Sequence, residues 1–142
     1  MKFKMRILQF SVAGNAERIA LAISSDQKAG CDKIPPAYPI ENEKLAFIVF
    51  EMKGAKADKS VAALCNDLTT ARTKNVALCA VGAKFDGVQG LVDAVKAKGI
   101  NIVGEPHKCA VKAGLFGQGK ITDADVNAAV GWAAKIVDDL AE

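Results

Sequence analysis

The chain has 142 residues, of which 51% are hydrophobic, 25% are charged and 6% are aromatic, and its formal net charge is +3. This composition excludes a disordered chain, and the length suits one domain whose core is mainly aliphatic. No apolar run approaches the ~20 residues of a membrane span. The basic residues form no stripe with interleaved aromatic residues, so neither a membrane nor a nucleic acid is an expected partner.

The four cysteines predict a reducing compartment. They are too far apart for a CxxC redox or zinc motif, and Cys65 and Cys79 lie in apolar runs that are typical of core residues. The basic start at Lys2 and Lys4 resembles a signal peptide, but the apolar stretch that follows is short and is interrupted by Gln9. We therefore expect a cytoplasmic protein.

The first half of the chain predicts two strand–helix units. Met5–Phe10 is the first strand, followed by a helix at 15–28, and the apolar residues 45–50 form the second long strand. Asp58 is a suitable N-cap for the helix after it. The proline-rich segment between the first helix and the second long strand allows a short strand at 37–40 only at a sheet edge, because proline cannot donate to a ladder.

The second half continues the same alternation. Residues 75–81 predict a strand, and a helix follows from Asp86 to Gly99, where the glycine forms a C-cap. A further strand at 100–103 precedes the last helix, which begins at Thr122. Strands that alternate with helices pair in parallel through right-handed crossovers, and strands this apolar are covered on both faces. The predicted fold class is α/β, a three-layer doubly wound parallel sheet.

The loop after the first strand has the chemistry of a phosphate site. Gly14 allows a tight turn, and the free amides at the start of the following helix favour an anion. Side chains such as Ser11 can add hydrogen bonds. A plain strand-to-helix turn explains the same glycine equally well. The residues of the candidate site are Ser11, Val12, Ala13, Gly14, Asn15 and Ala16.

This loop resembles the phosphate loop of flavodoxins, whose pattern is Thr/Ser-x-Thr-Gly-Asn-Thr. Ser11, Gly14 and Asn15 match the pattern, whereas Ala13 and Ala16 stand where the family usually has hydroxyl groups. The two missing hydroxyls would remove phosphate hydrogen bonds of about 0.5–1.5 kcal/mol each.

The resemblance covers nearly the whole chain and implies a single flavodoxin-like domain over residues 1–142. It implies the strand order 2-1-3-4-5, in which the winding reverses beside the first strand. It also implies that the cofactor is FMN, with its phosphate held by the loop after that strand.

The resemblance further implies that two loops, 51–57 and 82–87, enclose the flavin ring. Phe85 lies near the position of the usual stacking tyrosine, although a core role at the helix entry explains it equally well. Gly54 stands where the family has a peptide that reorients on flavin reduction, which requires tolerance of positive φ. The predicted ring contacts are Met52, Lys53, Gly54, Gly82, Ala83, Lys84 and Phe85.

Two other motifs carry less weight. Residues 114–120 match the GxxxxGK nucleotide loop, but Ile121 replaces the magnesium-binding hydroxyl and Asp123 would repel a phosphate. We interpret this segment as a glycine loop that borders the flavin. His107, the only histidine, has no suitable second ligand and is interpreted as a loop residue, and Trp132 as a core residue.

The sequence therefore predicts an FMN-binding electron carrier that delivers electrons to a partner reductase, rather than a stand-alone enzyme. Flavodoxins are typically acidic and this chain is basic, which implies a redox partner with an acidic surface. Two alternatives stay open. One is a flavin or quinone reductase that takes hydride from NAD(P)H, and the other is a flavodoxin-fold module that has lost FMN.

Overall fold

The computed structural model describes residues 2–115 and 117–142. Within these residues no helix is long and apolar enough to cross a membrane. The elements in chain order are β1 (Met5–Phe10), α1 (Asn15–Gln27), β2 (Gly30–Lys33), β3 (Glu43–Glu51), α2 (Lys59–Asp67), β4 (Thr73–Gly82), α3 (Val88–Ala97), β5 (Asn101–Ile102), β6 (His107–Ala110), β7 (Ala113–Gly114), β8 (Gly117–Gln118) and α4 (Asp123–Ala141).

The main sheet is parallel, and its winding reverses beside β1. Strand β1 pairs with β2 on one side and with β3 on the other, and β3 pairs with β4. Both β5 and β6 pair with β4 in the same direction. The predicted order 2-1-3-4-5 is confirmed, with β5 and β6 sharing the last position. Strands β7 and β8 form a separate antiparallel hairpin.

The edge strand lies earlier in the chain than predicted. Residues 37–40 do not form it; β2 does, with Cys31 opposite Ile7 of β1. This segment contains no proline, so each of its amides is available to a ladder, whereas Pro35 and the prolines after it follow the strand. The prediction of an edge position was correct, and the prediction of its residues was wrong.

The last position of the sheet also differs from the prediction. Of the strand expected at 100–103, only β5 forms. The strand is interrupted before β6 by a turn at Gly104, which has a φ of +69°. His107 then begins β6, so its interpretation as a loop residue was wrong. Its ring centroid lies 5.4 Å from that of Trp132, whose indole N–H donates to the Glu105 carbonyl at 3.1 Å. Gly104 and Pro106 are local turn residues at this break, and α4 contacts it through Trp132.

The core has two layers, one on each face of the sheet. Along β3, Phe47 and Val49 pack against α1 and α4, while Ile48 and Phe50 pack against α2 and α3. Both faces of the strand are buried, as the continuous apolar run predicts. The three-layer arrangement is confirmed.

The starts of α2 and α4 follow local capping chemistry. Thr122 and Asp125 form a reciprocal capping box at α4, with bonds of 3.2 and 2.9 Å. The Asp58 carboxylate caps α2 by accepting from the hydroxyl and the amide of Ser60, and these bonds lower the pKa of Asp58 to about 2. Helix α3 begins at Val88 rather than at the predicted Asp86.

Candidate functional site

A cleft of about 640 Å³ opens at the carboxyl ends of β1, β3 and β4, with the β7–β8 hairpin as a further wall. This is the edge where ligands bind in open α/β sheets, beside the point at which the winding reverses. The lining is mostly small or apolar and includes Phe10, Val12, Met52, Ala83, Val111 and Ala113.

Many of the residues predicted to contact a ligand meet at this cleft. Gly82 lies beneath it, and a Cβ at this position would come 2.8 Å from the Met52 Cβ, so the close approach requires glycine. Phe85 lies elsewhere, half-buried against the core layer formed with α2 and α3, and it does not line the cleft. The predicted residues that do line it are Val12, Ala13, Met52, Lys53, Gly54, Ala83 and Lys84.

The side chain of Glu51 fills the predicted phosphate loop. Its Oε1 accepts hydrogen bonds from the amides of Val12 at 2.9 Å and Ala13 at 2.7 Å. Its Oε2 accepts from the amide of Ala16 at 3.0 Å and from the hydroxyl of Ser11. Glu51 is the last residue of β3 and is only 2% exposed. Two of the donors predicted for a phosphate, the Ser11 hydroxyl and the Ala16 amide, therefore already hold an anion that belongs to the chain, together with the amides of Val12 and Ala13.

The loop favours the ionised form of this carboxyl group. Burial raises the pKa of Glu51, but the hydrogen bonds from Ser11 and from the amides of Ala13, Ala16 and Val12 outweigh burial, and the net pKa is lowered. The start of α1 adds a positive dipole end at the same place. Glu51 is thus a stable anion at neutral pH.

The sequence analysis missed this contact, although the sequence contained a signal. An acidic residue follows directly on an apolar strand, and a buried charge requires partners. Strands β1 and β3 are neighbours, with Phe10 opposite Phe50. The next residues along the two strands, Ser11 and Glu51, are therefore brought side by side. The sheet order together with the strand ends was enough to find the pair.

Asn15 ties the loop to the hairpin instead of facing a phosphate. Its Nδ2 donates to Gln118 Oε1 at 3.1 Å and to the Gly119 carbonyl at 2.8 Å, and its Oδ1 accepts from the Ile121 amide at 3.2 Å. Gln118 in turn donates to the Val81 carbonyl at 2.7 Å, at the end of β4. The amide that was expected to contact a phosphate is committed within the protein.

Two glycines of the site use left-handed backbone. Gly14 has a φ of +89° at the N-cap of α1, and Gly54 has a φ of +62° in the turn after β3. That turn is closed by reciprocal backbone hydrogen bonds of 2.7 and 3.2 Å between Lys53 and Lys56. A side chain at Gly54 would be strained in this conformation.

Exposed lysines surround the cleft. Lys53 and Lys84 line it, and Lys112 and Lys120 flank the hairpin. The Lys120 ammonium group donates to the Ala13 carbonyl at 2.6 Å, which places a positive charge against the loop. Lys53 pairs with Asp58 at 3.1 Å, whereas Lys84, Lys112 and Lys120 form no ion pair among residues 2–115 and 117–142. Three unpaired positive charges therefore lie at this edge.

The cleft suits the ring of FMN, whereas the loop does not suit its phosphate group. An apolar cleft of about 640 Å³ falls in the size range of small-molecule sites and accommodates an isoalloxazine ring. The phosphate group does not fit the loop as it stands, because Glu51 already occupies the donors of Ser11, Val12, Ala13 and Ala16.

Comparison with solved structures places the fold. No protein-family model and no curated protein sequence matches the chain. A flavodoxin from the domain Archaea superposes with a TM-score of 0.71 at 13% identity, over 98% of this chain and 99% of that one. The flavodoxin of Streptococcus pneumoniae TIGR4 gives 0.72 at 13% identity, over 95% and 98%. Flavodoxin 2 from Bacillus cereus gives 0.70 at 16% identity, over 96% and 99%.

These matches span almost the full length of each chain, and they agree with the strand order and the two core layers described above. At identities this low, the superpositions show the fold alone. The ligand therefore has to be argued from the residues of the site. The chain has the flavodoxin-like fold.

Proposed function

We propose that this chain is an electron-transfer protein that binds a flavin by its isoalloxazine ring. The observation that carries the proposal is the open apolar cleft of about 640 Å³ at the carboxyl edge of a flavodoxin-like sheet. A bound flavin would supply one-electron and two-electron transfer, which the protein's own side chains do not provide.

The chain's own residues would hold the ring from three loops. Val12, Met52 and Ala83 offer apolar surface, one residue from each loop. Lys84 brings positive charge to the rim, which favours a ring that gains negative charge on reduction, whereas the charge of Lys53 is offset by Asp58. FMN, the flavin expected from the sequence, and riboflavin share this ring and differ only in the terminal phosphate. The ring contacts are therefore the same for both.

The basic rim supports a partner with an acidic surface. Lys53, Lys84, Lys112 and Lys120 are all exposed around the cleft. Leu115, at the tip of the hairpin, is 90% exposed and adds an apolar contact. Charges of one sign at the mouth of a redox site steer a partner of opposite sign and raise the association rate.

The test is a titration of the purified protein with riboflavin, followed by quenching of the ring fluorescence. Glu in place of Ala83 puts a carboxylate at the apolar cleft and is expected to weaken binding about tenfold or more. Ala71→Glu is the matched control, since Ala71 is also exposed but precedes the opposite end of β4. Equal effects of the two substitutions would contradict binding in the cleft.

The Glu51 contacts also favour a second candidate function, a flavodoxin-fold module that has lost its flavin. This candidate predicts no quenching of riboflavin or of FMN by the native chain. The open reductase alternative is tested in the same preparation, because a flavin-loaded reductase would oxidise NADPH without a protein partner.

A further inference from the structure

We propose that Glu51 is a built-in substitute for the flavin phosphate, so that the flavin taken by this chain ends in an uncharged tail, as riboflavin does, and not in a phosphomonoester. This inference rests on the proposed flavin-binding function and names the ligand class. It differs from the FMN expected from the sequence.

The first step of the argument is that both carboxylate oxygens are used. Oε1 holds the amides of Val12 and Ala13, and Oε2 holds the amide of Ala16 and the Ser11 hydroxyl. A phosphate that used the Ser11 hydroxyl and the Ala16 amide, both predicted phosphate donors, would compete with Glu51 for them. Two anions cannot share them, because a second charge would meet the first at contact distance.

The second step is that Glu51 is held firmly. It is 2% exposed, and none of the ion pairs among residues 2–115 and 117–142 involves it, so neutral donors alone stabilise its charge. To admit a phosphate, the carboxylate would have to leave these donors. The hydrogen bonds that the phosphate gains would then be offset by those that the Glu51 carboxylate loses.

The third step is that the loop lacks the extra donors that would help a phosphate to compete. Positions 13 and 16 are alanines without hydroxyl groups. The Asn15 amide is bonded to Gln118 and Gly119. The nearby Lys120 ammonium group is bonded to the Ala13 carbonyl. All these features point the same way, to a loop whose side-chain donors and whose Val12, Ala13 and Ala16 amides are already bonded within the protein.

The first arm of the test compares the dissociation constants of riboflavin and FMN for the native chain. We expect riboflavin to bind at least as tightly as FMN. An FMN affinity that exceeds the riboflavin affinity by about tenfold or more would overturn the proposal, because the phosphate would then contribute to binding. This arm needs no variant.

The second arm removes the carboxylate. In Glu51→Ser the loop regains its free amides, and we expect the affinity for FMN to rise about tenfold or more relative to that for riboflavin. Glu51→Gln, which keeps the size and removes the charge, should move in the same direction. Glu43→Gln is the matched control, because Glu43 is 3% exposed at the opposite end of β3, and it should leave the ratio unchanged. An unchanged ratio in both Glu51 variants would overturn the proposal.

A third arm separates the failure of this inference from the failure of flavin binding. Inorganic phosphate is titrated against the native chain and Glu51→Ser, with the thermal midpoint as the readout. Phosphate should raise the midpoint of the variant alone. If no flavin binds and this difference is present, the proposed function fails while the exclusion of phosphate by Glu51 stands. An equal response of both proteins overturns the exclusion.

Discussion

At the scale of single residues, the two buried glutamates of β3 have opposite electrostatic environments. Burial of Glu43 raises its pKa, and Lys4 and Arg6 only partly oppose this effect. Within the described residues, Glu43 Oε2 has no hydrogen-bond partner. Glu51 is buried at the other end of the strand, but its donors outweigh the burial and lower its pKa. The number of hydrogen-bond donors around the carboxylate, and not its degree of burial, therefore decides which of the two charges is stable.

This contrast predicts a pH-dependent stability difference for Glu51→Gln. The pKa of folded Glu51 lies below the ordinary 4.5, so the carboxylate stabilises the fold above that pH, and the contribution is lost as the pH falls through the folded pKa. Loss of the charge-assisted bonds should cost about 1–3 kcal/mol of unfolding free energy at neutral pH. The difference in unfolding free energy between the variant and the native chain should disappear at acidic pH. Denaturant unfolding across the pH range measures both.

Glu43→Gln provides the control for that series. The pKa of folded Glu43 is raised, so its ionised form destabilises the fold above the folded pKa, and this penalty vanishes below the ordinary 4.5. The substitution should therefore cause no loss of stability at neutral pH. A loss as large as that of Glu51→Gln would show that the glutamine itself, and not the carboxylate contacts, is responsible.

At the scale of elements, Asn15 at the start of α1 holds the segment that joins the β7–β8 hairpin to α4. Its side chain bonds to Gln118, Gly119 and Ile121 and is 2% exposed. The wall of the cleft is thus positioned from α1. In the segment that matches a nucleotide loop, Gly114, Gly117 and Gln118 belong to this hairpin, and α4 begins only at Asp123. The described residues of that segment therefore do not form a strand-to-helix phosphate loop.

We predict that Asn15→Asp loosens this wall. The carboxylate oxygens would face two acceptors, Gln118 Oε1 and the Gly119 carbonyl, and the cost should be about 1–3 kcal/mol of unfolding free energy. Hydrogen exchange should speed up at 117–121. Asn66→Asp on the exposed side of α2 is the matched control and should stay within about 0.5 kcal/mol of the native chain. Similar losses in the two variants would contradict the positioning role.

The sequence was sufficient for the elements whose signals are local. The apolar runs predicted β1, β3 and β4, and the caps Asp58 and Thr122 marked their helices, because periodicity and capping depend on neighbouring residues. The predictions failed where a distant residue decides. Strand β6 is defined by its pairing with β4, although Gly104 and Pro106 before it are local turn signals. The use of the loop depends on Glu51, 35 residues beyond Ala16.

At the scale of the whole molecule, burial of the sheet on both faces determines the pKa and the accessibility of the cysteine thiols. Burial raises the pKa of Cys65 to about 12 and also raises that of Cys79, and Cys109 is buried as well. Cys31 on the edge strand is only half-buried. The sequence interpretation of Cys65 and Cys79 as core residues is confirmed.

We therefore expect Cys31 to be the first cysteine of the native protein to react with a thiol reagent, and the chain in guanidinium to react at all four cysteines. The reaction of Cys31 should itself be slow at neutral pH, because burial and the charges of Asp32 and Glu17 raise its pKa. Mass mapping after a short pulse identifies the labelled residue. Rapid labelling of Cys79 in the native protein would contradict the packed sheet.

The measurement that tests the central claim most directly is a titration with lumiflavin, the isoalloxazine ring without a ribityl tail, followed by amide chemical shifts of the native chain. Ring binding in the cleft predicts shifts at 52–54, at 83–84, at 111–114 and at 117–118, whereas Ser11 and Ala16, held by Glu51, stay unchanged. A spectrum without shifts, or one with its shifts confined to the loop after β1, would contradict a flavin site in this cleft.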